Sequence, residues 1–184
     1  MDAALEHGPP PPVRIQENWL LWLGGCAAPD LRVPQGPRRL AAGGRGLCSD
    51  AVILLVALAR RAGLEAHMFD LQGHVVAELR VQGSAWVADP DLGLVHAGSV
   101  AELSGPARAE EMRRAVLAAG HDVAIAEACA AAFATAEDNR AVPAGVLNPR
   151  LWRAEQASEW LRWALPAALL TCAGGALLRA RPRF

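Results

Sequence analysis

Three residues in the middle of the chain have the types and the order that acyl transfer through a thiol requires. Cys48 opens a predicted helix, His74 stands at the start of a predicted strand, and Asp89 ends another strand. Unpaired backbone N–H groups and the helix dipole favour a thiolate at a helix start. An imidazole can take up and return the thiol proton, and a carboxylate can orient that imidazole. The pattern predicts Cys48 as nucleophile, His74 as base and Asp89 as orienting group.

The spacing of the two strands predicts that His74 and Asp89 can meet. A two-residue turn at Gln82-Gly83 would join a strand over residues 73–81 to a strand over residues 84–89. In that register His74 and Asp89 lie diagonally on one face, within reach of a side-chain hydrogen bond. A three-residue turn would reverse the alternation of side chains and separate them.

The elements around these residues predict an α+β fold, in which the helix that begins at Cys48 packs on a small antiparallel sheet. That helix runs from residue 48 to 62, with Asp50 in its first turn and Gly63 as its end. A further strand is predicted over residues 65–70. Two more helical patterns follow at residues 108–119 and 121–136.

The composition of the whole chain limits the classes of function. With 184 residues, 53% hydrophobic, 20% charged and a net charge of -1, the chain is long enough for one folded domain and is not generally disordered. The near-neutral charge gives no general attraction to nucleic acid, so no nucleic-acid partner is expected. The four cysteines are far apart and form no CxxC pair, which argues against a zinc ribbon or a dense disulfide framework. Cys26 and Cys129 are predicted as small core residues, and Cys172 as part of a hydrophobic tail.

Changes of composition along the chain predict four segments. These are a disordered Pro-rich N-terminus (1–12), a folded domain (13–147), an amphipathic linker (148–162), and a membrane helix (163–178) with an Arg-rich tail to residue 184. Residues 163–178 carry no charge and would span roughly 24 Å as a helix, against a bilayer core of about 30 Å. Trp and Arg residues at both flanks can lie at the membrane interfaces. We therefore expect a C-terminal membrane anchor, the alternative being a buried terminal helix.

The side of the membrane on which the domain lies stays open. No secretory signal peptide is recognised, which favours a cytoplasmic domain. The terminal arginines favour a cytoplasmic tail, but further arginines precede the segment as well.

Three blocks of the sequence together resemble the transglutaminase-like superfamily in its bacterial form. They are Gly-Leu-Cys-Ser-Asp at 46–50, Gly-His-Val-Val at 73–76 and Trp-Val-Ala-Asp-Pro at 86–90, and the likeness extends over about residues 43–95. The resemblance implies a papain-like core in which Cys48 is the nucleophile, His74 the base and Asp89 its orienting partner. It also implies a peptide or amide-bearing substrate that passes through a thioester on the enzyme.

The resemblance leaves several properties open. A thiol-dependent amide hydrolase or acyltransferase is expected, and the alternative is an inactive, membrane-tethered binding module of the same fold. Many cross-linking members of the superfamily bind calcium, but this chain has no Asp-rich loop, so no metal or other cofactor is expected. The backbone N–H of Cys48 would provide one donor to an oxyanion, and Trp19, Trp22 and Gln35 are candidates for a second.

Overall fold

The computed structural model describes residues 6–135, 137, 139–142 and 145–180, the last four of them by their backbone alone. The chain divides into two compact units. The sheet unit consists of the residues up to Pro10 together with Gln35–Leu147, and the helical unit consists of Pro11–Pro34 and the chain from Asn148 onward.

The described part of the chain contains both strands and helices, and its α+β class confirms the sequence prediction. The strands are β1 (Glu6–His7), β2 (Arg45–Gly46), β3 (Glu65–Leu71), β4 (His74–Val81), β5 (Ser84–Asp89), β6 (Leu94–Ala97) and β7 (Asn139–Val142). The α-helices are α1 (Trp19–Gly24), α2 (Pro37–Gly43), α3 (Cys48–Arg61), α4 (Val100–Leu103), α5 (Pro106–Ala118), α6 (Val123–Ala134) and α7 (Pro149–Ala180), and Pro29–Arg32 form a 3-10 helix.

Five antiparallel strands form the main sheet of the sheet unit, in the order β6-β5-β4-β3-β7. The β4–β5 hairpin closes at Gln82 and Gly83, whose φ angles of 52° and 82° are those of a two-residue type I′ turn. Val81 therefore pairs with Ser84, which is the register that the sequence predicts. A separate parallel pair joins β1 to β2, directly before Cys48.

Helix α3 begins at Cys48 because Leu47 has an extended backbone and Asp50 satisfies its N–H group. The carboxylate of Asp50 accepts that bond at 2.9 Å. Burial raises the pKa of Asp50, an effect that the Leu47 N–H opposes. Val52 and Val56 are fully buried where α3 packs against β3 and β4. The first residue of the helix is thus fixed relative to the sheet.

The largest cluster of buried apolar side chains joins the sheet to helices α4, α5 and α6. Four successive residues of β4, from Val75 to Glu78, are buried, so both faces of this strand are covered. The carboxylate of buried Glu78 accepts the N–H of Val100 at 2.8 Å and so fixes the start of α4. The cluster includes Leu71, Val76, Val87, Leu92, Met112, Val116 and Phe133.

In the helical unit, Asn18 connects α1 to the first half of α7. Its Oδ1 accepts the N–H of Leu21 at 3.2 Å and caps α1, while its Nδ2 donates to the Ser158 hydroxyl at 2.7 Å. Trp19 adds a bond from its indole N–H to the carbonyl oxygen of Arg162 at 3.2 Å.

The predicted C-terminal membrane anchor is wrong. No helix in the described part of the chain combines the length and apolar character that crossing a bilayer needs. The uncharged stretch 163–178 continues a helix that begins at Pro149 with charged and polar residues. The stretch has 16 residues, including Pro166, which is fewer than the roughly 20 that a span requires. This finding overturns the expected localisation at a membrane through a C-terminal helix. Arg181 and Arg183 lie outside the described residues.

Candidate functional site

The sheet unit brings the predicted site residues together at the ends of three elements. Cys48 is the first residue of α3, His74 the first of β4 and Asp89 the last of β5. The His74 Nε2 atom lies 2.5 Å from the Asp89 Oδ2 atom, so the predicted contact between these two side chains is confirmed. The Asp89 side chain is 3% exposed and that of His74 18%, which leaves the imidazole accessible from one side.

The Asp89 carboxylate is held in place by the turn that follows it. Its Oδ1 accepts the N–H groups of Asp91 and Leu92, each at 3.1 Å, while Oδ2 faces His74. This is the turn that Asp followed by Pro favours, in which a short side chain bonds to backbone two and three residues ahead. Two backbone N–H groups and the imidazole of His74 therefore fix the orientation of the carboxylate.

The charges around His74 favour its imidazolium form. Burial alone would lower its pKa, but the hydrogen bonds and charges of Asp89 and Cys48 outweigh burial and raise the pKa from 6.5 to about 10. His74 thus interacts with both other residues of the predicted triad. Because Nε2 is engaged by Asp89, Nδ1 is the ring nitrogen available to the thiol of Cys48.

The first turn of α3 supplies backbone donors beside the thiol. The N–H groups of Asp50 and Ala51 both bond to the carbonyl oxygen of Leu47, at 2.9 and 3.1 Å. The two preceding N–H groups, of Cys48 and Ser49, have no carbonyl oxygen within the helix to accept them. They are the groups that can hold an oxyanion formed at Cys48, whose side chain is half-buried.

The side chains considered as a second oxyanion donor gain no support. The indole N–H of Trp19 is engaged within the helical unit by Arg162, and the guanidinium of Arg32 lies over the ring of Trp22, 5.3 Å from its centroid. Gln35 is a half-buried residue of the sheet unit that has interactions of its own. The backbone of the first turn is therefore the donor group on which the site interpretation rests.

Cys129 of α6 is a neighbour of the site that sequence reasoning placed only in the core. It is 3% exposed, and one potential ligand atom from each of His74, Asp89 and Cys129 lies within 4.8 Å of the others. Burial, together with the charge of Asp89, raises the pKa of the Cys129 thiol to about 12. Forty residues separate Asp89 from Cys129 along an Ala-rich sequence, and no spacing signal connects them.

The same three side chains are the group that could hold a metal ion among the described residues. Binding would require Cys129 to lose its proton, which the raised pKa of this thiol opposes. The short bond between the His74 imidazole and the Asp89 carboxylate is an arrangement that can serve proton transfer.

The comparisons with known proteins identify no relative of this chain. Family models, curated proteins and solved structures were all searched, and none matches it. The interpretation of the site therefore rests on its own geometry and on the three sequence blocks at residues 46–50, 73–76 and 86–90.

Proposed function

We propose that this protein is a thiol-dependent amide hydrolase or acyltransferase with a papain-like core of the transglutaminase-like type. The observation that carries the proposal is the position of His74, which interacts with the Asp89 carboxylate on one side and with the Cys48 thiol on the other. An imidazole so placed is oriented by one partner and can exchange a proton with the other.

The order of elements supports the papain-like assignment. Helix α3, which carries the nucleophile at its first residue, packs against an antiparallel sheet. Strand β4, the second strand after α3, carries the base at its own first residue. Both groups therefore stand at element ends, where side chains reach a substrate while the backbone stays rigid.

In the proposed reaction, the Cys48 thiolate attacks the carbonyl carbon of an amide. The oxyanion that forms is held by the N–H groups of Cys48 and Ser49. The His74 imidazolium gives its proton to the leaving amine, the C–N bond breaks, and a thioester on Cys48 remains. His74, now neutral, then takes a proton from an incoming water or amine, which attacks the thioester and releases Cys48 as thiolate.

The identity of the second nucleophile separates the two activities. Water gives a protease or deamidase, and an amine gives a cross-linking enzyme. The full-length protein can be incubated with a panel of peptides and glutamine amides, with and without an added primary amine, while ammonia, peptide fragments and amide products are measured.

The test of the nucleophile is selective alkylation. Cys48 lies at a helix start beside His74, an imidazole that can take up the thiol proton, so iodoacetamide should modify Cys48 faster than the exposed thiols of Cys26 and Cys172. The variant Cys48→Ala should lose all turnover, while Cys172→Ala, which removes an exposed thiol, should keep it. Labelling of Cys48 no faster than of Cys26, with no turnover on the panel, would leave a noncatalytic binding module as the interpretation.

A further inference from the structure

A groove of about 560 Å³ lies in the sheet unit next to the start of α3. One wall is a stripe of α3 formed by Ala51, Leu54, Leu55 and Leu58, and Ile125 of α6 stands among the residues that line the other side. The volume is well above the roughly 150 Å³ in which a buried apolar cavity binds benzene. It lies within the range of cavities that bind small molecules.

Residues on both sides of Cys48 in the sequence line the groove. Gly46 and Ala51, which stand two residues before and three residues after Cys48, both line it. At about 100° per residue, Leu55 lies on nearly the same side of α3 as Cys48. Around the helix axis, the fully buried Val52 and Val56 lie on one side of Cys48, and the α3 residues that line the groove lie on the other side. Cys48 therefore stands at the border between the face of α3 that packs on the sheet and the face that lines the groove.

The chemistry of the lining is aliphatic. Leu58 is 64% exposed and Ile125 39%, so large apolar side chains face an open space. The polar groups in the lining bond to neighbouring protein atoms: the His7 Nδ1 atom lies 3.0 Å from the Asp91 Oδ1 atom, and the His121 Nε2 atom lies 2.9 Å from the Leu92 carbonyl oxygen. A ligand that fits this lining gains from apolar contact rather than from charge.

We propose that this groove binds an uncharged aliphatic group on the acyl side of the substrate, an inference that rests on the proposed function. After the first step the acyl half stays on Cys48, whereas the leaving half receives its proton from His74. The groove is lined by residues of α3, the helix that carries Cys48, and by no residue of β4, the strand that carries His74; neither Cys48 nor His74 is itself a lining residue. The substrate class is thus an amide whose acyl part carries an aliphatic chain or side chain several carbons long.

Two measurements test the proposal. In the first, p-nitrophenyl esters from acetate to hexanoate acylate the full-length protein, and the rate is followed by p-nitrophenol release and by the mass of the acylated chain. Each methylene that enters the groove should raise the rate constant for acylation of Cys48 by up to about fourfold. In the second, the unreactive amides from acetamide to hexanamide bind to the Cys48→Ala protein, and their affinity should rise with chain length in the same way.

Two substitutions in the lining of the groove and one control show where the aliphatic group binds. Leu58→Asp on α3 and Ile125→Asp on α6 should each remove the dependence on chain length, because a carboxylate in the groove must be desolvated by an aliphatic ligand. The matched control is Leu23→Asp, which makes the same change at an exposed helical leucine of the other unit and should retain the dependence.

The outcomes distinguish a failure of the proposed groove from a failure of the proposed function. Acylation and amide binding that do not vary with chain length, or that still vary in Leu58→Asp and Ile125→Asp, would overturn the groove. If no ester acylates Cys48 while hexanamide still binds more tightly than acetamide, the proposed function fails and the groove stands.

Discussion

Helix α3 and the second half of α7 have similar apolar sequences and different surroundings. In α3, Ile53 and Val56 are buried against the sheet, with 5% and 2% exposure. In α7, Leu169 and Leu170 are 70% and 74% exposed. Both runs suggest burial when composition alone is considered, but α3 packs against β3 and β4, whereas these leucines of α7 are exposed in the described part of the chain.

The environment of an apolar run therefore cannot be inferred from the run itself. Residues 163–178 suggested a membrane because they lack charge, although they lie in one continuous helix with the charged segment before them. The site residues lie around α3, where the sequence also contains a turn, a hairpin and polar residues at element ends. Local signals of several kinds constrain structure more than one compositional signal does.

The largest expected effect is the loss of catalysis when the imidazole of His74, on the strand β4 that packs against α3, is removed. His74→Ala should lower kcat by about 10² to 10⁴, the usual contribution of general acid–base catalysis. The fold should remain, which circular dichroism can verify while turnover is measured on the peptide and amide panel.

A matched histidine controls that experiment. His67 lies on β3, 45% exposed, and its Nε2 atom is 3.1 Å from Glu65, so His67→Ala removes an imidazole–carboxylate pair away from the site and should leave kcat within about twofold. Asp89→Asn should lower kcat less than His74→Ala does, and the double variant should be no slower than His74→Ala, because Asp89 acts through His74. Additive losses would contradict the proposed chain of contacts.

The second effect compares the two apolar helical segments directly. Ile53→Ala should lower the free energy of unfolding by about 2–5 kcal/mol, since it leaves a cavity between α3 and the sheet. Leu169→Ala should change it by less than about 0.5 kcal/mol, since its side chain is exposed. Urea unfolding followed by circular dichroism measures both, and equal losses would mean that the exposed half of α7 is covered in solution.

The third effect is a pH dependence of stability that comes from the site. The pKa of His74 rises from 6.5 to about 10 on folding, so the folded chain holds this proton more tightly than the unfolded chain. The stabilisation is complete below pH 6.5 and is lost as the pH rises towards 10. Asp89→Asn removes one source of the raised pKa, so the difference in unfolding free energy between wild type and variant should shrink from pH 6 to pH 10. A difference that grows over this interval would contradict the ionic contact.

The sequence predicted the centre of the sheet unit because each element there has its own local signal. The Gln82-Gly83 turn fixed the register of the hairpin, and the polar first turn with Gly63 beyond the end bounded α3 to within a residue. The register alone was enough to place His74 and Asp89 diagonally on one face of the hairpin. The prediction of contact depended on side-chain alternation, which a strand follows strictly.

What the sequence could not predict depends on distant partners. The segment 29–46 is rich in Pro and Gly, which is typical of irregular structure, yet it contains α2 and β2. Strands β6 and β7 are four residues each and form only by pairing with β5 and β3. Trp86, a large aromatic residue of β5, is 37% exposed, and the packing of α6 brings Cys129 next to Asp89. None of these contacts has a local signature.

The smallest effect separates the two kinds of helix cap in the helical unit. Asn148 caps α7 with one bond to the N–H of Leu151 at 3.1 Å and is exposed, so Asn148→Ala should cost about 1 kcal/mol. Asn18 caps α1 and also donates from a buried position to Ser158, so Asn18→Ala should cost about 2 kcal/mol. The measurement is urea unfolding followed by tryptophan fluorescence, because all the tryptophans except Trp86 belong to the helical unit.

A second substitution makes the Asn18 result specific. Asn18→Ser keeps an oxygen that can cap α1 but loses the amide that donates to Ser158, so it should lie between wild type and Asn18→Ala. Equal losses in Asn18→Ala and Asn148→Ala would mean that the buried bond contributes nothing beyond the cap. In that case the Asn18–Ser158 bond would add nothing to the attachment of the first half of α7, and the contrast between its buried and exposed halves would rest on its other contacts.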